Sequence, residues 1–377
     1  MMKKQNKIYL GIGIVAIILI VAIAMFSMPK GEETIKIGFM GPLSGDAVDY
    51  GMGAKTGYEL ALQEINSKGG INGKPIEIIY EDSKCEAKTA IDAVNKLVNV
   101  DKVNIILGGV CSSETLAAGP IAEQNKVIML SSISTNYQIT DLGDYIFRNV
   151  PSDALQGKKA AELTYDEGYR KVAIIYIGDN DYGLGLKEVF EKRFEELGGS
   201  VILSETFLGG DTDFRTQLTK IKNSDAEAIF LAGMLKESAL ILNQAKELNI
   251  DKQFITTESV KDSSFFDIVG DSAEGLLLTS MKELESQKAI EFKQKYVESF
   301  EKEPKFYSDY AYDALNLLSE VMRDCQNPND ANCIKEGLYD ISYDGATGMN
   351  DFDNNGDVSK EFSTYKVLNQ EFVPHNK

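Results

Sequence analysis

From Ile35 onward the chain alternates short, unbroken apolar runs with stretches of helical periodicity, and this alternation limits its fold more than any other feature. The runs "IKIGFMG", "PIEIIYEDS", "VNIILGG" and "VIMLSS" are separated by a helical pattern over Gly51 to Lys68, with Leu60, Ala61 and Ile65 on one face, and by "TAIDAVNKLVN" and "SETLAAGPIAEQN". A strand that is apolar at nearly every position has both faces covered, as in a parallel sheet flanked by helices. A succession of such units predicts an α/β fold. After "DYIFRNVPSD" the alternation restarts with "KVAIIYIG" and the helix "YGLGLKEVFEKRFEELGG", which ends on a glycine C-cap. "SVILSETF", "DFRTQLTKIKN", "EAIFLAG", "KESALILNQAKELN" and "QFITTES" continue it. The 377 residues therefore read as two successive βα lobes, each with its own sheet. Past "LLLTSM", helical patterns over Ser286 to Glu303, Tyr307 to Asp324 and near Ile334 precede a tail that alternates as a hairpin around Asn355-Gly356.

The N-terminus follows another rule. Lys3, Lys4 and Lys7 precede an uncharged run from Ile8 to Met28. Such a run is long enough to span a bilayer as an anchor with the lysines inside. It also fits a cleaved signal peptide, with Ala22-Ile23-Ala24 as the small-x-small site. Both readings place the remainder outside the cytoplasm. The four cysteines suit that compartment. Three connectivities are open to them, and the local pair Cys325–Cys333 would close the turn-rich "CQNPNDANC".

Composition excludes several function classes. A net charge of −19 repels phosphate backbones, so no nucleic-acid partner is expected. The one histidine, His375, stands near the C-terminus, where no Ser-His-Asp or Cys-His constellation is expected. HExxH and CxxC motifs are lacking, so no zinc site is expected. Asp351, Asp353, Asn355, Gly356 and Asp357 match the first half of an EF-hand loop, but position twelve is Phe362, so an Asn-Gly turn is expected and no metal. No cofactor is called for.

Ligands of open parallel sheets bind where strands run into helices. Here those loops read "GPLSGDAVDYGMG", "GGVCSSE" and "SSISTNY" in the first lobe, and "IGDNDYGLG", "AGMLKE" and "TTESVKD" in the second. "GGVCSSETLAAG" admits a nucleophile site, an anion cradle or a disulfide-stapled turn. Ser112 and Ser113 stand where a helix N-cap belongs, and serve either as a cap or as part of a carboxylate site. Thr135 is a loop hydroxyl or a ligand group. Glu258 directly follows a buried strand, and a carboxylate on a cleft wall wants a cation such as an ammonium group. Tyr50 and Tyr182 read as walls of the same cleft. Cys85 and Cys111 follow the second and third strands, and a bridge between them would pin two loops if those strands lie near one another.

Taken together, "IGFMGPLSGDAVDYG", "INSKGGINGKPIEIIYEDSKCEAKTA", "CSSETLAAGPIAEQNKVIMLSSIST", "DNDYGLGL", "DFRTQLTKIKNSDAEAIFLAG" and "SAEGLLLT" resemble the branched-chain amino-acid-binding proteins of ABC importers, the type I periplasmic solute-binding proteins. The resemblance runs from about Ile35 to the end. It implies two doubly wound lobes with central, mainly parallel sheets joined by three crossovers, and the uncharged run places one N-terminal hydrophobic helix before them. The implied division is 1–33 for the N-terminal segment, 34–152 plus 283–344 for lobe I, and 153–282 plus 345–377 for lobe II. It further implies that Ser112 and the backbone beside it hold a ligand α-carboxylate. Thr135 and the Ile133 carbonyl would contact the α-carboxylate and α-ammonium ends, and Glu258 would pair with the ammonium. Tyr50, Tyr182 and Tyr307 would line the pocket, and Cys85 and Cys111 match the family's disulfide pair. Where relatives often carry a tyrosine after the glycine of the "AGM" loop, this chain has Met234, a flexible apolar residue that reshapes the side-chain pocket. The implied function is not an enzyme's. It is that of an extracytoplasmic receptor that captures an amino acid between hinged lobes and delivers it to ABC permease subunits. The alternatives are a membrane-anchored sensor of the same fold and a receptor for an amide or aromatic acid.

Overall fold

The computed structural model describes residues 34–375, and the expected anchor or signal segment, residues 8–28, lies outside them. Among the described residues no helix is long and apolar enough to cross a membrane. Strands β1 (Ile35–Gly41), β2 (Ile76–Asp82), β3 (Ile105–Gly108), β4 (Ile128–Ser131) and β5 (Ile146–Arg148) form a parallel sheet in the order β2-β1-β3-β4-β5. Successive residues of a strand point to opposite faces. Ile105 and Leu107 accordingly enter one core and Ile106 another, while Ile128 and Leu130 part from Met129 in the same way. Two cores, one on each face, explain why the central strands are apolar through Ile105–Leu107 and Ile128–Leu130.

The second lobe repeats the design. Strands β6 (Lys171–Ile177), β7 (Ser200–Phe207), β8 (Ala228–Ala232), β9 (Gln253–Thr256) and β10 (Leu277–Met281) run parallel. Val172 and Ile174 fill one core, and Ala173, Ile175 and Ile177 the other. A separate two-stranded ribbon pairs β11 (Ser342–Gly345) with β12 (Gly348–Asp351). β13 (Phe362–Leu368) and β14 (Glu371–Pro374) then add antiparallel to β10, giving the order β14-β13-β10-β9-β8-β6-β7.

The chain passes between lobes three times, at 149–152, at 282–286 and at 359–361. The last passage, expected at 344–345, falls after Val358, because Ala346, Phe352 and Val358 pack into the first lobe's core. The hairpin expected around Asn355-Gly356 is a tight turn closed by one antiparallel bridge, Phe352 with Val358. The full hairpin of the tail turns instead at Asn369 and Gln370, both with positive φ (52° and 61°). In this arrangement the C-terminal ends of β1, β3 and β4 face those of β6, β8 and β9 across a cleft.

Candidate functional site

The cleft holds a cavity lined by Tyr50, Ser112, Ile133, Thr135, Tyr182, Glu258 and Tyr307, together with Val110, Cys111, Asn180, Met234 and Ser259. All seven residues singled out from sequence thus meet in one place.

The first lobe supplies a rigid wall. β3 ends in Gly108 at φ 126°, where a Cβ would lie 2.1 Å from the Met40 carbonyl oxygen, so glycine alone lets β1 and the turn approach. The turn leads into the helix Ser112–Gln124, whose N-terminus opens at the cavity. The loop after β4 is laced to it. Ser131 Oγ donates to the Gly109 carbonyl (2.7 Å), Ser134 Oγ donates to the same oxygen (2.9 Å), and Asn136 N–H donates to Ser112 Oγ (3.2 Å). Arg148, fully buried, holds the loop from behind through its Nη1, which donates to the carbonyls of Thr135 (2.9 Å) and Asn136 (2.7 Å). Its Nε and Nη2 form a bidentate pair with Asp357 at 2.6 and 2.7 Å. This engages the Asp357 carboxylate that a calcium loop would have offered.

Cys85 and Cys111 are bonded to each other with their Cα atoms 5.4 Å apart, and Cys325 and Cys333 likewise at 6.0 Å. Glu114 lies close to the first pair, but the two sulfurs bind one another and leave no thiolate for a metal. The helix cap differs from the serine expected. Cys111 is the N-cap, and Glu114 reaches back to accept from the N–H groups of Val110 and Cys111 (2.9 Å each) and from that of Cys85 (2.8 Å). Ser112 and Ser113 are thereby free for other work, and Ser113 Oγ accepts from Asp181 N–H of the second lobe (3.0 Å).

Burial pushes the Glu114 carboxyl up to about 7, against the hydrogen bonds from Ser83, Cys111, Val110 and Cys85. A carboxyl with a raised pKa favours the fold while protonated. Its contribution is full below the ordinary value near 4.5 and is lost as pH climbs through about 7. Stability measured by urea unfolding is therefore expected to fall between pH 5 and pH 8, by as much as about 3 kcal/mol from this group. Glu114→Gln should flatten that slope. An identical slope in the variant would remove Glu114 as its source.

The second lobe supplies the charge. Glu258, 1% exposed, follows β9 in a single 3-10 turn. Its Oε1 accepts from Tyr307 (3.0 Å) and Tyr182 (3.2 Å), and its Oε2 accepts from Gln156 Nε2. Burial raises its pKa, and these three donors act against that rise. All three are uncharged, so the carboxylate is oriented but not neutralised. Burial also raises the phenols of Tyr50, Tyr182 and Tyr307, which stay protonated donors. Tyr307 stands in the left-handed region (φ 70°), uncommon for a bulky residue, and this conformation puts its hydroxyl on Glu258.

Several bonds join the lobes across the cleft. Tyr50 hydroxyl donates to the Ser259 carbonyl (2.9 Å) and accepts from Leu235 N–H (3.1 Å). Asn136 Nδ2 donates to the Asp181 carbonyl (2.6 Å), and Lys236 pairs with Asp46 (2.8 Å) at the rim. His375 is not part of the site; its Nε2 lies 2.8 Å from Glu167 Oε1.

Several polar participants lie outside the set read from sequence, Asn180, Ser259, Gln156 and Asp153 among them. Asn180 and Ser259 stood in loops already marked as cleft loops, and Asn180 carries the further signal of an N-cap, accepting from Tyr182 N–H (2.9 Å). Gln156 and Asp153 carry no such signal, because they belong to the helix Asp153–Asp166, whose inward face is set by packing on strands β9, β10 and β13 of its own lobe.

A family model described as periplasmic binding protein matches residues 34–371. The chain is 30% identical over 355 residues to the leucine-, isoleucine-, valine-, threonine- and alanine-binding protein of Pseudomonas aeruginosa, covering 92% of this chain and 93% of that one. A solved structure of a leucine binding protein, LivK, from Thermotoga maritima is similar with a TM-score of 0.85 at 30% identity, over 91% of this chain and 98% of that one. The structure of the branched-chain amino acid transporter substrate binding protein LivJ from Streptococcus pneumoniae in complex with isoleucine gives 0.82 at 30% identity, over 90% and 98%.

Proposed function

This chain belongs to the periplasmic binding protein family, and from that premise we propose that it is an extracytoplasmic receptor for a branched-chain or similar aliphatic amino acid, which it delivers to an ABC importer. It is a binding protein, not an enzyme. The observation that carries the ligand assignment is Glu258, a buried carboxylate held by three uncharged donors on a cavity wall. Burying an ionised carboxylate without a counter-charge is costly, and a ligand ammonium group supplies that charge. On the first lobe, the N-terminus of the helix Ser112–Gln124 offers N–H groups and a positive dipole end to a carboxylate. An anion site and a cation site on facing walls of one cavity suit the two poles of an α-amino acid. Ser112, Thr135 and the Ile133 carbonyl would complete the polar contacts. Val110, Ile133, Tyr50 and Met234 would receive an aliphatic side chain. A benzoate-like acid would satisfy the first pole and leave Glu258 unpaired, which disfavours it.

Capture would proceed by closure of the two lobes about the three connecting segments. Two disulfides accord with an oxidising compartment. Residues 8–28 would hold the receptor at the outer face of the membrane, or be removed as a signal, and the mass of the mature protein decides between the two.

A thermal-shift screen of the purified protein against the standard amino acids, small amides and aromatic acids tests the reading. An aliphatic amino acid at a hundredfold its dissociation constant should raise stability by about 2.7 kcal/mol. A response confined to amides or aromatic acids would replace the proposed ligand class.

A further inference from the structure

Behind the Glu258 wall lie two polar groups that the binding reading does not use. Asp153 opens the helix Asp153–Asp166, is 0% exposed, and neither of its carboxylate oxygens is held in a full hydrogen bond, the Thr135 hydroxyl being the one donor that acts on the group. Gln156, one turn further along the same helix and also 0% exposed, has an unpartnered Oε1. The orientation of the Gln156 amide is fixed by its neighbours. Its nitrogen donates to Glu258 Oε2, to the Thr279 carbonyl (3.0 Å) and weakly to Thr279 Oγ1 (3.4 Å), so the oxygen faces away from these acceptors. Residues three apart on a helix are neighbours on its surface.

An ionised Asp153 is an acceptor only, and so is Gln156 Oε1, so as ions and amides the two cannot satisfy each other. One proton on Asp153 changes this, because it turns the acid into a donor for the orphan amide oxygen. Few charges bear on the pair. Arg148 is committed to Asp357 and to the carbonyls of Thr135 and Asn136. The phenols of Tyr182, Tyr307, Tyr50 and Tyr310 feel the charge of Glu258, and that of Tyr182 also feels Asp153. Burial first, and then the negative charge of Glu258, drive the Asp153 carboxyl well above the usual range, against the Thr135 hydroxyl and the Arg148 charge.

We propose that Asp153 is a positioning residue of the ligand site: as an uncharged acid it donates to Gln156 Oε1, and through Gln156 it fixes Glu258 as the one negative charge offered to a ligand ammonium group. This rests on the amino-acid reading above for the role of Glu258, whereas the protonation of Asp153 stands apart from it. The relay runs Asp153 to Gln156 to Glu258, with each donor meeting an acceptor. Two ionised carboxylates side by side would present twice the charge that a single ammonium group can balance.

Two measurements test it. The infrared difference spectrum of wild type minus Asp153→Asn, taken at neutral pH, should show the carbonyl band of a protonated carboxylic acid that the variant lacks. No such band would overturn the proposal, and the result is independent of which ligand binds. Calorimetric titration with the amino acid identified by the screen reads the second step. Asp153→Asn keeps an uncharged donor and should bind within about threefold of wild type, whereas Asp153→Ala should bind about tenfold or more weakly. If Asn weakens binding as much as Ala, the negative charge of Asp153 is what matters and the relay is wrong. If no amino acid binds wild type, the amino-acid reading fails while the infrared result still decides the protonation.

Discussion

Replacing Glu258 by glutamine is expected to weaken amino-acid binding by two to three orders of magnitude while leaving the fold intact. Removing one partner of a buried, hydrogen-bonded charge pair costs about 2–5 kcal/mol, and each 1.4 kcal/mol is about tenfold in affinity. Glutamine has nearly the same shape and keeps one acceptor for the hydroxyls of Tyr182 and Tyr307, while Gln156 Nε2 loses its acceptor at Oε2 and keeps the Thr279 carbonyl. It also takes a costly charge out of a site that is 1% exposed. The unfolding temperature of the ligand-free variant should therefore equal or exceed that of wild type. Calorimetric titration beside a melting curve separates the two effects. Wild-type affinity in Glu258→Gln would remove the ammonium assignment.

Arg148→Met is expected to cost about 3–5 kcal/mol of stability, because it leaves Asp357 and two carbonyls without their donor. The guanidinium makes a bidentate pair with Asp357, bonds to the Thr135 and Asn136 carbonyls, and a 2.7 Å bond from Nη2 to Thr140 Oγ1. Restoring neutrality with Asp357→Leu in the same chain should recover part of the loss, since it removes a partly buried carboxylate that keeps the Thr140 hydroxyl but has lost both guanidinium donors. Urea unfolding of the single and double variants measures this. Equal losses would show that the pairing with Asp357 is not the source. Thr135 lies in the loop that Arg148 holds, so the single variant should also bind ligand more weakly.

The central strands were legible because burial on both faces leaves an unmistakable mark on composition. Ile105, Ile106 and Leu107 must all be apolar when each enters one core or the other. β5, with only Ile146–Arg148, is too short to leave such a mark. The last passage between lobes was misplaced for a related reason. Phe352 and Val358 read in the sequence as arms of a tail hairpin, and only packing assigns them and Ala346 to the first core. The cap at Cys111 was hidden too, because serine is the better capping residue in general and Glu114 serves both ends of a disulfide that sequence spacing does not reveal.

Among the candidate site residues, those on loops at strand ends could be read from their chemistry. Glu258, a carboxylate just after the β9 run, has few structural reasons to be there, whereas Ile133 and Tyr307 came from the family resemblance alone. Asp153 and Gln156 could not be read in this way. They stand on an ordinary amphipathic helix, and their importance comes from a neighbour 102 residues away, Glu258.

The bonds between Tyr50 and the Ser259 and Leu235 backbone, between Asn136 and Asp181, and between Ser113 and Asp181 all depend on one gap width. A side chain too thick for the cavity acts as a spacer, and a spacer lengthens every one of these bonds together. Hydrogen bonds weaken steeply beyond their normal lengths, so a small excess of bulk is opposed by the whole rim and not only by the wall it touches. The cleft in this sense works as a calliper. Its tolerance for ligand size is set by the Tyr50, Asn136 and Ser113 side chains against the backbone of the facing lobe, which a change at Met234 leaves untouched.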